Sequence, residues 1–217
     1  MNMFSQSDAS SETTPENTHA HSTTPERPES PERKEHPFTE IIRFAILALI
    51  IVVPIRFFIA QPFIVSGASM DDTFAHNQYL IVDQLTYQFE TPERGEVVVF
   101  RYPRDISKYF IKRVIGVPGD TIMIDGDVVT ITNEDSPDGF ILDEPYVFAM
   151  EQPSYLTETL SEGEYFVMGD NRDASSDSRM WGVLQEDKIV GRAFLRLFPI
   201  TKLDVFPGSL ESEASNQ

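Results

Sequence analysis

The 217-residue chain carries 35 acidic against 17 basic residues, a formal charge of −18, and no cysteine. Such acidity argues against a nucleic-acid binder, which needs a basic face for phosphates. The missing thiol excludes disulfides, thiolate catalysis and cysteine-ligated zinc, while 41% hydrophobic residues suffice for a packed core.

Residues 1–36 are Ser, Thr, Pro, Glu and His with almost no large apolar side chains. Burial there cannot offset ordering entropy, so a disordered acidic tail is predicted over 1–40. The run EIIRFAILALIIVVPIRFFIAQPFIV follows. From Ile41 to Ala60 it spans about 20 residues, roughly 30 Å at helical rise, which matches a bilayer's hydrocarbon. A cleaved leader does not fit: the polar stretch before the run is too long, and Phe58 spoils a small-x-small site ending at Ala60. A buried core helix fits poorly too, because the run is apolar on all sides. The segment reads as a single transmembrane signal anchor over 41–62, kinked at Pro54 and with Arg56 snorkelling outward. Arg27, Arg33, Lys34 and Arg43 precede it and only Arg56 closely follows, so the tail is expected inside and the body outside.

From residue 63 the texture changes to short β runs: 79–85, 96–102, 108–116, 121–131, 164–170 and 189–198. Asp125-Gly126 between alternating apolar residues predicts a hairpin with a two-residue primed turn. No helical repeat appears after the anchor. The body, 63–206, is predicted to be mainly antiparallel β, with 133–160 an irregular insertion or small subdomain and 207–217 a frayed end.

Histidine narrows the chemistry. His19, His21 and His36 lie in the tail, which leaves His76, in the turn-like AHNQ, as the body's one imidazole. A Ser-His-Asp hydrolase would have to use it, and a histidine-rich metal site cannot be built. Three stretches remain dense in functional residues: VSGASMDDTF (65–74), YFIKRVIGVPGD (109–120) and GDNRDASSDSRMWG (169–182). In the second, strand alternation places Phe110, Lys112 and Val114 on one face and Ile111, Arg113 and Ile115 on the other. Lys112 is either an edge-strand lysine that snorkels to water or a desolvated amine. Desolvation would lower its pKa by several units and make it a base for a serine hydroxyl, which is a poor nucleophile without one.

Together these stretches resemble the type I signal peptidase family (peptidase family S26), membrane-anchored Ser-Lys proteases. Val65, Gly67, Ser69, Met70 and Thr73 match its nucleophile box. Lys112, Arg113, Gly116, Pro118, Gly119 and Asp120 match its lysine box. GEVVVF (95–100) meets the strand box, and Gly169 through Gly182 meet the last box in full. Order, spacing and the upstream anchor agree over about residues 41–199.

Carried over position by position, the resemblance implies that Ser69 is the nucleophile and Lys112 the general base. It implies that Ser175 bonds and orients the lysine amine, and that Asp177, Arg113 and Arg179 buttress the site. The Ser69 N–H would be one oxyanion donor. The position two before it supplies the second, and here it is Gly67, so only its backbone or a neighbour could serve. Asp72 replaces the family's proline and could build a similar turn with its side chain. Phe74 replaces a leucine or methionine.

The implied fold is an antiparallel signal-peptidase β fold, like that of the SOS-repressor autoproteases, after one N-terminal transmembrane helix. The implied activity is removal of signal peptides from secreted preproteins after small-x-small sites. The substrate would pair with Phe63–Val65 or Tyr109–Ile111, and its small residues would enter pockets lined by Phe63, Val65, Met70, Phe74, Phe110 and Ile111. Partners would be preprotein signal peptides and the lipid bilayer, not nucleic acid. The protein would be a monomer in a bacterial-type cytoplasmic membrane, N-terminus inside, and no metal or organic cofactor is implied. Two alternatives stay open: a catalytically impaired, membrane-tethered peptide-binding β domain, or a related Ser-Lys protease with a specialised substrate.

Overall fold

Two antiparallel sheets make up the body in the computed structural model, which describes residues 37–54, 60–147 and 151–209. In chain order the elements are α1 (Pro37–Pro54), β1 (Ala60–Ile64), β2 (Tyr79–Asp83), β3 (Val97–Tyr102), β4 (Asp105–Gly116), β5 (Thr121–Gly126), β6 (Val128–Thr132), β7 (Phe140–Ile141), β8 (Ser154–Thr159), β9 (Glu164–Met168), α2 (Ser178–Trp181), β10 (Leu184–Gln185), β11 (Ile189–Phe198) and β12 (Asp204–Val205). The main sheet runs β1-β2-β11-β3-β4-β9-β10, with β12 on β11, and the second runs β7-β6-β5-β8. The mainly antiparallel β body expected from the sequence is what forms.

The chain divides into two units, residues 1–42 and 43–217. Of the first, only the opening turns of α1 are described: residues 1–36 of the predicted tail lie outside the described residues, and its last four, 37–40, are helical rather than disordered. Along α1 the large apolar side chains from Phe38 to Val53 are all exposed. Among the described residues no helix is long and apolar enough to cross a membrane. The 18 residues of α1 reach about 27 Å at helical rise, short of about 30 Å of hydrocarbon. Residues 55–59, with Arg56, lie outside the description, and the bend expected at Pro54 falls at its edge. The far end of the predicted 41–62 span is corrected: Ala60–Ile64 is a strand in register with Tyr79–Asp83. There Gln61 accepts a 2.7 Å bond from Gln84. Pro62 is tolerated because β1 is an edge strand.

β3 is buried from Val97 through Phe100, as a continuous apolar run in a central strand should be. Its alternate residues feed two cores. Val98 and Phe100 pack with Val114, Tyr165, Val167 and Leu184. Val97 packs with Val65, Met70, Phe74, Leu80 and Ala193. In the antiparallel register Val98 lies opposite Lys112 and Val97 opposite Arg113, so the two cations of β4 do face opposite sides. A third core, around Ile115, Ile122, Ile131 and Phe166, joins the second sheet to the end of β4.

Two expectations shift. Asp125 pairs with Val128, so the hairpin loop is Gly126-Asp127, one residue later than predicted, with φ +72° at Gly126. Asp125 is held in the ladder because it also pairs with Tyr155 of β8. Residues 154–159, expected to be irregular, form β8 along the full length of β5. Their alternation of half-buried and exposed side chains leaves no apolar run to read. Residues 148–150 of the expected insertion lie outside the described residues. The predicted frayed end begins too early, since Pro207 and Gly208 are buried.

Candidate active site

Ser69 sits in the loop between β1 and β2. Val65 N–H donates to Gln78 O at 2.9 Å and Asn77 N–H to Val65 O at 3.0 Å, which closes the neck of the loop. Beyond the serine, Asp71 N–H donates to Ala68 O (3.2 Å) and Phe74 N–H to Met70 O (2.7 Å). The backbone therefore makes the turn that Asp72 was expected to build; Asp72 is exposed and its carboxylate makes no described bond. Met70 and Phe74 were expected to line the substrate pocket. Instead they are buried in the core with Val65, Leu80 and Val97 and pin the loop from beneath. At roughly 1.5–3 kcal/mol for each such buried side chain, this anchoring outweighs any single hydrogen bond in the loop.

Lys112 reaches Ser69 from β4. Its Nζ donates to Ser69 Oγ at 2.6 Å and to Ile111 O at 2.8 Å, and lies 5.5 Å from the Phe110 ring centroid. The residue is 3% exposed. Burial pushes its pKa down from 10.5 to about 8, against the pull of the Asp177 and Asp170 carboxylates, which favour the charged form. Of the two readings of this lysine, the desolvated amine is the one that forms.

Behind the pair lies a layer of buried charge. Arg113 donates from Nε and Nη2 to the two oxygens of Asp170, at 2.9 and 2.7 Å, and from Nη1 to Gly95 O at 2.9 Å. Its guanidinium also stacks 3.8 Å from the centre of the Tyr146 ring. Asp170 accepts again from Thr73 Oγ1, at 2.6 Å. Asp177 caps α2, accepts from Gly169 N–H at 3.2 Å, and pairs with Arg179 at 2.8 Å. Asp173 instead accepts from the Glu151 and Gln152 N–H groups. The resemblance brought Arg113, Asp177 and Arg179 to the site but gave Asp170 no role of its own. The signal for it was its place between Gly169 and Asn171 in the last box.

Gly169 touches the site through space it leaves empty. A Cβ there would collide with the Ser69 carbonyl oxygen and with Ser175 Oγ. Ser175 is buried, and its hydroxyl bonds to neither Lys112 nor any other described group. The expected Ser175–Lys112 bond is thus not made; the amine's bonds go to Ser69 and Ile111. Gly67 also departs from expectation as an oxyanion donor: its N–H donates to His76 Nδ1 at 3.2 Å. His76, in the stretch read from the sequence as turn-like, fixes that peptide. A tight turn follows the lysine strand. Asp120 N–H donates to Val117 O at 3.1 Å, with Pro118 and then Gly119 (φ +89°) at its centre, as a type II turn requires.

A groove of about 440 Å³ opens beside the pair. Phe63, Val65, Phe110 and Ile111 line it, as expected, together with Ser66 and Tyr109. The Phe63 and Tyr109 rings meet edge to face at 5.2 Å across it. β1 is the sheet's terminal strand, and β4 pairs with β9 only from Arg113 onward, so both walls present strand edges.

A buried amine tuned toward neutrality and bonded to a serine hydroxyl, beside an apolar groove with free strand edges, is an arrangement suited to serine-type peptide-bond hydrolysis. Residues 38–198 match the family described as signal peptidase, peptidase S26. A probable signal peptidase I-2 of Synechocystis is 34% identical over 197 residues, spanning 88% of this chain and 86% of that protein. Signal peptidase IB of Staphylococcus aureus is 32% identical over 180 residues, 75% of this chain and 90% of its own. A crystal structure of a signal peptidase I from Enterococcus faecalis V583 is 29% identical, covers 48% of this chain and 97% of its own, and superposes with a TM-score of 0.41. The chain belongs to the signal peptidase S26 family, and it is a serine-type endopeptidase.

Proposed function

We propose that this protein is a signal peptidase I that cuts signal peptides from secreted preproteins, with Ser69 as nucleophile and Lys112 as general base. The observation that carries the reading is the 2.6 Å contact between Lys112 Nζ and Ser69 Oγ, made by an amine almost wholly removed from water. With the lysine protonated, Nζ donates to Oγ. Once it is neutral the bond reverses, and the hydroxyl donates to the nitrogen lone pair while an N–H stays on Ile111 O. That second bond orients the lone pair without consuming it.

An extended substrate segment pairs with the strand edges at Phe63–Val65 and Tyr109–Ile111. Ser69 Oγ attacks the scissile carbonyl carbon as Lys112 takes its proton. The ammonium returns that proton to the leaving amine, and an acyl-enzyme forms. That amine is the new N-terminus of the mature chain, which departs at this step. A water then gives its proton to Lys112 and attacks the ester, Lys112 returns a proton to Ser69 Oγ, and the signal peptide is released. The Ser69 N–H is one oxyanion donor. Since the Gly67 N–H is committed to His76, the exposed Ser66 hydroxyl in the groove is the neighbour left to supply the second. Ser175 stays in the reading as a supporting group, its bonding capacity unspent beside Gly169. Small substrate residues before the cut fit the apolar walls of the groove.

α1 is read as the described part of a membrane anchor, with the catalytic domain outside. Its large apolar residues face outward all round, an arrangement that costs least in lipid. The test is incubation of the full chain, in detergent or vesicles, with a purified preprotein. Mass spectrometry should show one cut after a small-x-small sequence, lost in both Ser69→Ala and Lys112→Ala. Normal processing by either variant refutes the assignment.

A further inference from the structure

We infer that the C-terminal segment Phe206–Ser209 is a positioning element for the Ser69–Lys112 pair, acting through Gly208. The inference rests on the Ser-Lys reading above and adds a part of the machinery that lies beyond residue 198, where the family match ends.

Gly208 touches both halves of the site from the far end of the chain. Its carbonyl accepts a bond from Arg113 Nη1, next in sequence to the base. Arg113 grips both oxygens of Asp170, and Asp170 Oδ2 accepts from Thr73, four residues after the nucleophile. Gly208 also packs directly on the nucleophile loop. A Cβ placed on it would stand 2.8 Å from the Thr73 methyl and 3.1 Å from the Phe74 ring. One residue thus closes a circuit from the lysine strand through the buried ion pair to the serine loop.

The segment is built to stay there. Phe206 N–H donates to Phe194 O at 2.8 Å, the two rings meet at 5.2 Å, and the Arg192 guanidinium lies 5.0 Å from the Phe206 ring. Phe206 turns the chain at φ +54°, a conformation a bulky residue adopts only when its surroundings hold it. Pro207 and Gly208 are buried while residues 205 and 206 just before them are exposed, so the chain dives inward at this point.

The charges facing Lys112 are Asp170, neutralised by Arg113, and Asp177, neutralised by Arg179. Loosening Gly208 would let the Arg113–Asp170 pair slacken, so that Asp170 holds the lysine's proton more firmly, and would let the Thr73 turn shift.

Two variants of the full chain test this: Gly208→Ala and a truncation after Val205. Thermal melting gives the folded fraction, and a covalent serine-acylating reagent counts competent sites. Per titrated site, Gly208→Ala should lose about tenfold or more in kcat, with KM within about twofold of wild type. The acid limb of kcat/KM should move up by about half a pH unit or more, and the truncation should exceed both effects. Wild-type kcat and an unmoved limb in a folded variant would overturn the proposal. So would variants whose whole loss reflects fewer titratable sites, since that assigns the segment to folding alone. A wild-type protein that does not cut preproteins at all would instead sink the peptidase reading.

Discussion

Arg113, adjacent in the chain to Lys112, closes both Nε and Nη2 onto the carboxylate of Asp170, and neither side chain reaches solvent. The two consecutive cations of β4 therefore have opposite fates. Lys112 is desolvated without a carboxylate partner and drifts toward neutrality; Arg113 is desolvated with one and stays charged. Breaking such a buried pair from one side costs about 3–5 kcal/mol, because the remaining charge is left uncompensated. That cost keeps Asp170 fixed at a set place behind the base.

The first prediction concerns the pH dependence of cleavage. In its proposed role as base, Lys112 works only when neutral, and its pKa is lowered from 10.5 to about 8. The rate kcat/KM should therefore climb about tenfold per pH unit on the acid side, bend near pH 8 and level off above it, with roughly one lysine in ten neutral at pH 7. A limb centred near 10.5, or a maximum on the acid side, would contradict the assignment of Lys112. The measurement is a fluorogenic signal-peptide substrate followed from pH 6 to 10.

Stability gives an independent test of the same desolvation. Between pH 8 and 10.5 the unfolded chain holds a proton on residue 112 that the native protein has released. Stability of the wild type should thus rise with pH across that window. At pH 7 the buried charge costs about 3 kcal/mol, offset by about 1 kcal/mol for the bond to Ser69. Lys112→Met, of similar length and uncharged, should melt higher than wild type at pH 7, and its advantage should fade by pH 10. An equal difference at the two pH values would mean that the lysine is not desolvated.

The close approach of Gly169 to the nucleophile loop makes a third prediction. A methyl at 169 must displace the Ser69 carbonyl or Ser175, whose Cβ would be only 2.7 Å away. Gly169→Ala should lower kcat by about a hundredfold through misplacement of the serine, with a stability loss of about 1–3 kcal/mol. Steady-state kinetics and a melting curve separate the two effects. A folded variant with wild-type kcat would show that the loop relaxes at no cost to catalysis.

Much of the body could be read without coordinates. The alternation around Lys112 put it and Arg113 on opposite faces of one strand, because side-chain period in a strand is local and strict; its register opposite Val98 came only with the sheet. Elimination by composition pointed to an amine base, since one imidazole and no thiol were left to the body. β8 was not legible, because its half-buried alternation carries few large apolar residues. Met70 and Phe74 were assigned to the groove by the family resemblance. Neighbours in sequence around a turn point in different directions, and these two point into the core.

The amino-acid sequence alone determined which chemistry was available and which strands would carry it. Both depend on residue type and on periodicities only a few residues long. Tertiary structure decided the rest. It brought Ser69 within 2.6 Å of a lysine 43 positions away, made Asp170 a buried counter-ion to Arg113, and drew Gly208 against the loop that carries Ser69. The reason is that a side chain's charge and reach are its own, whereas its desolvation is set by whatever folds over it. Only the assembled sheets settle what that is.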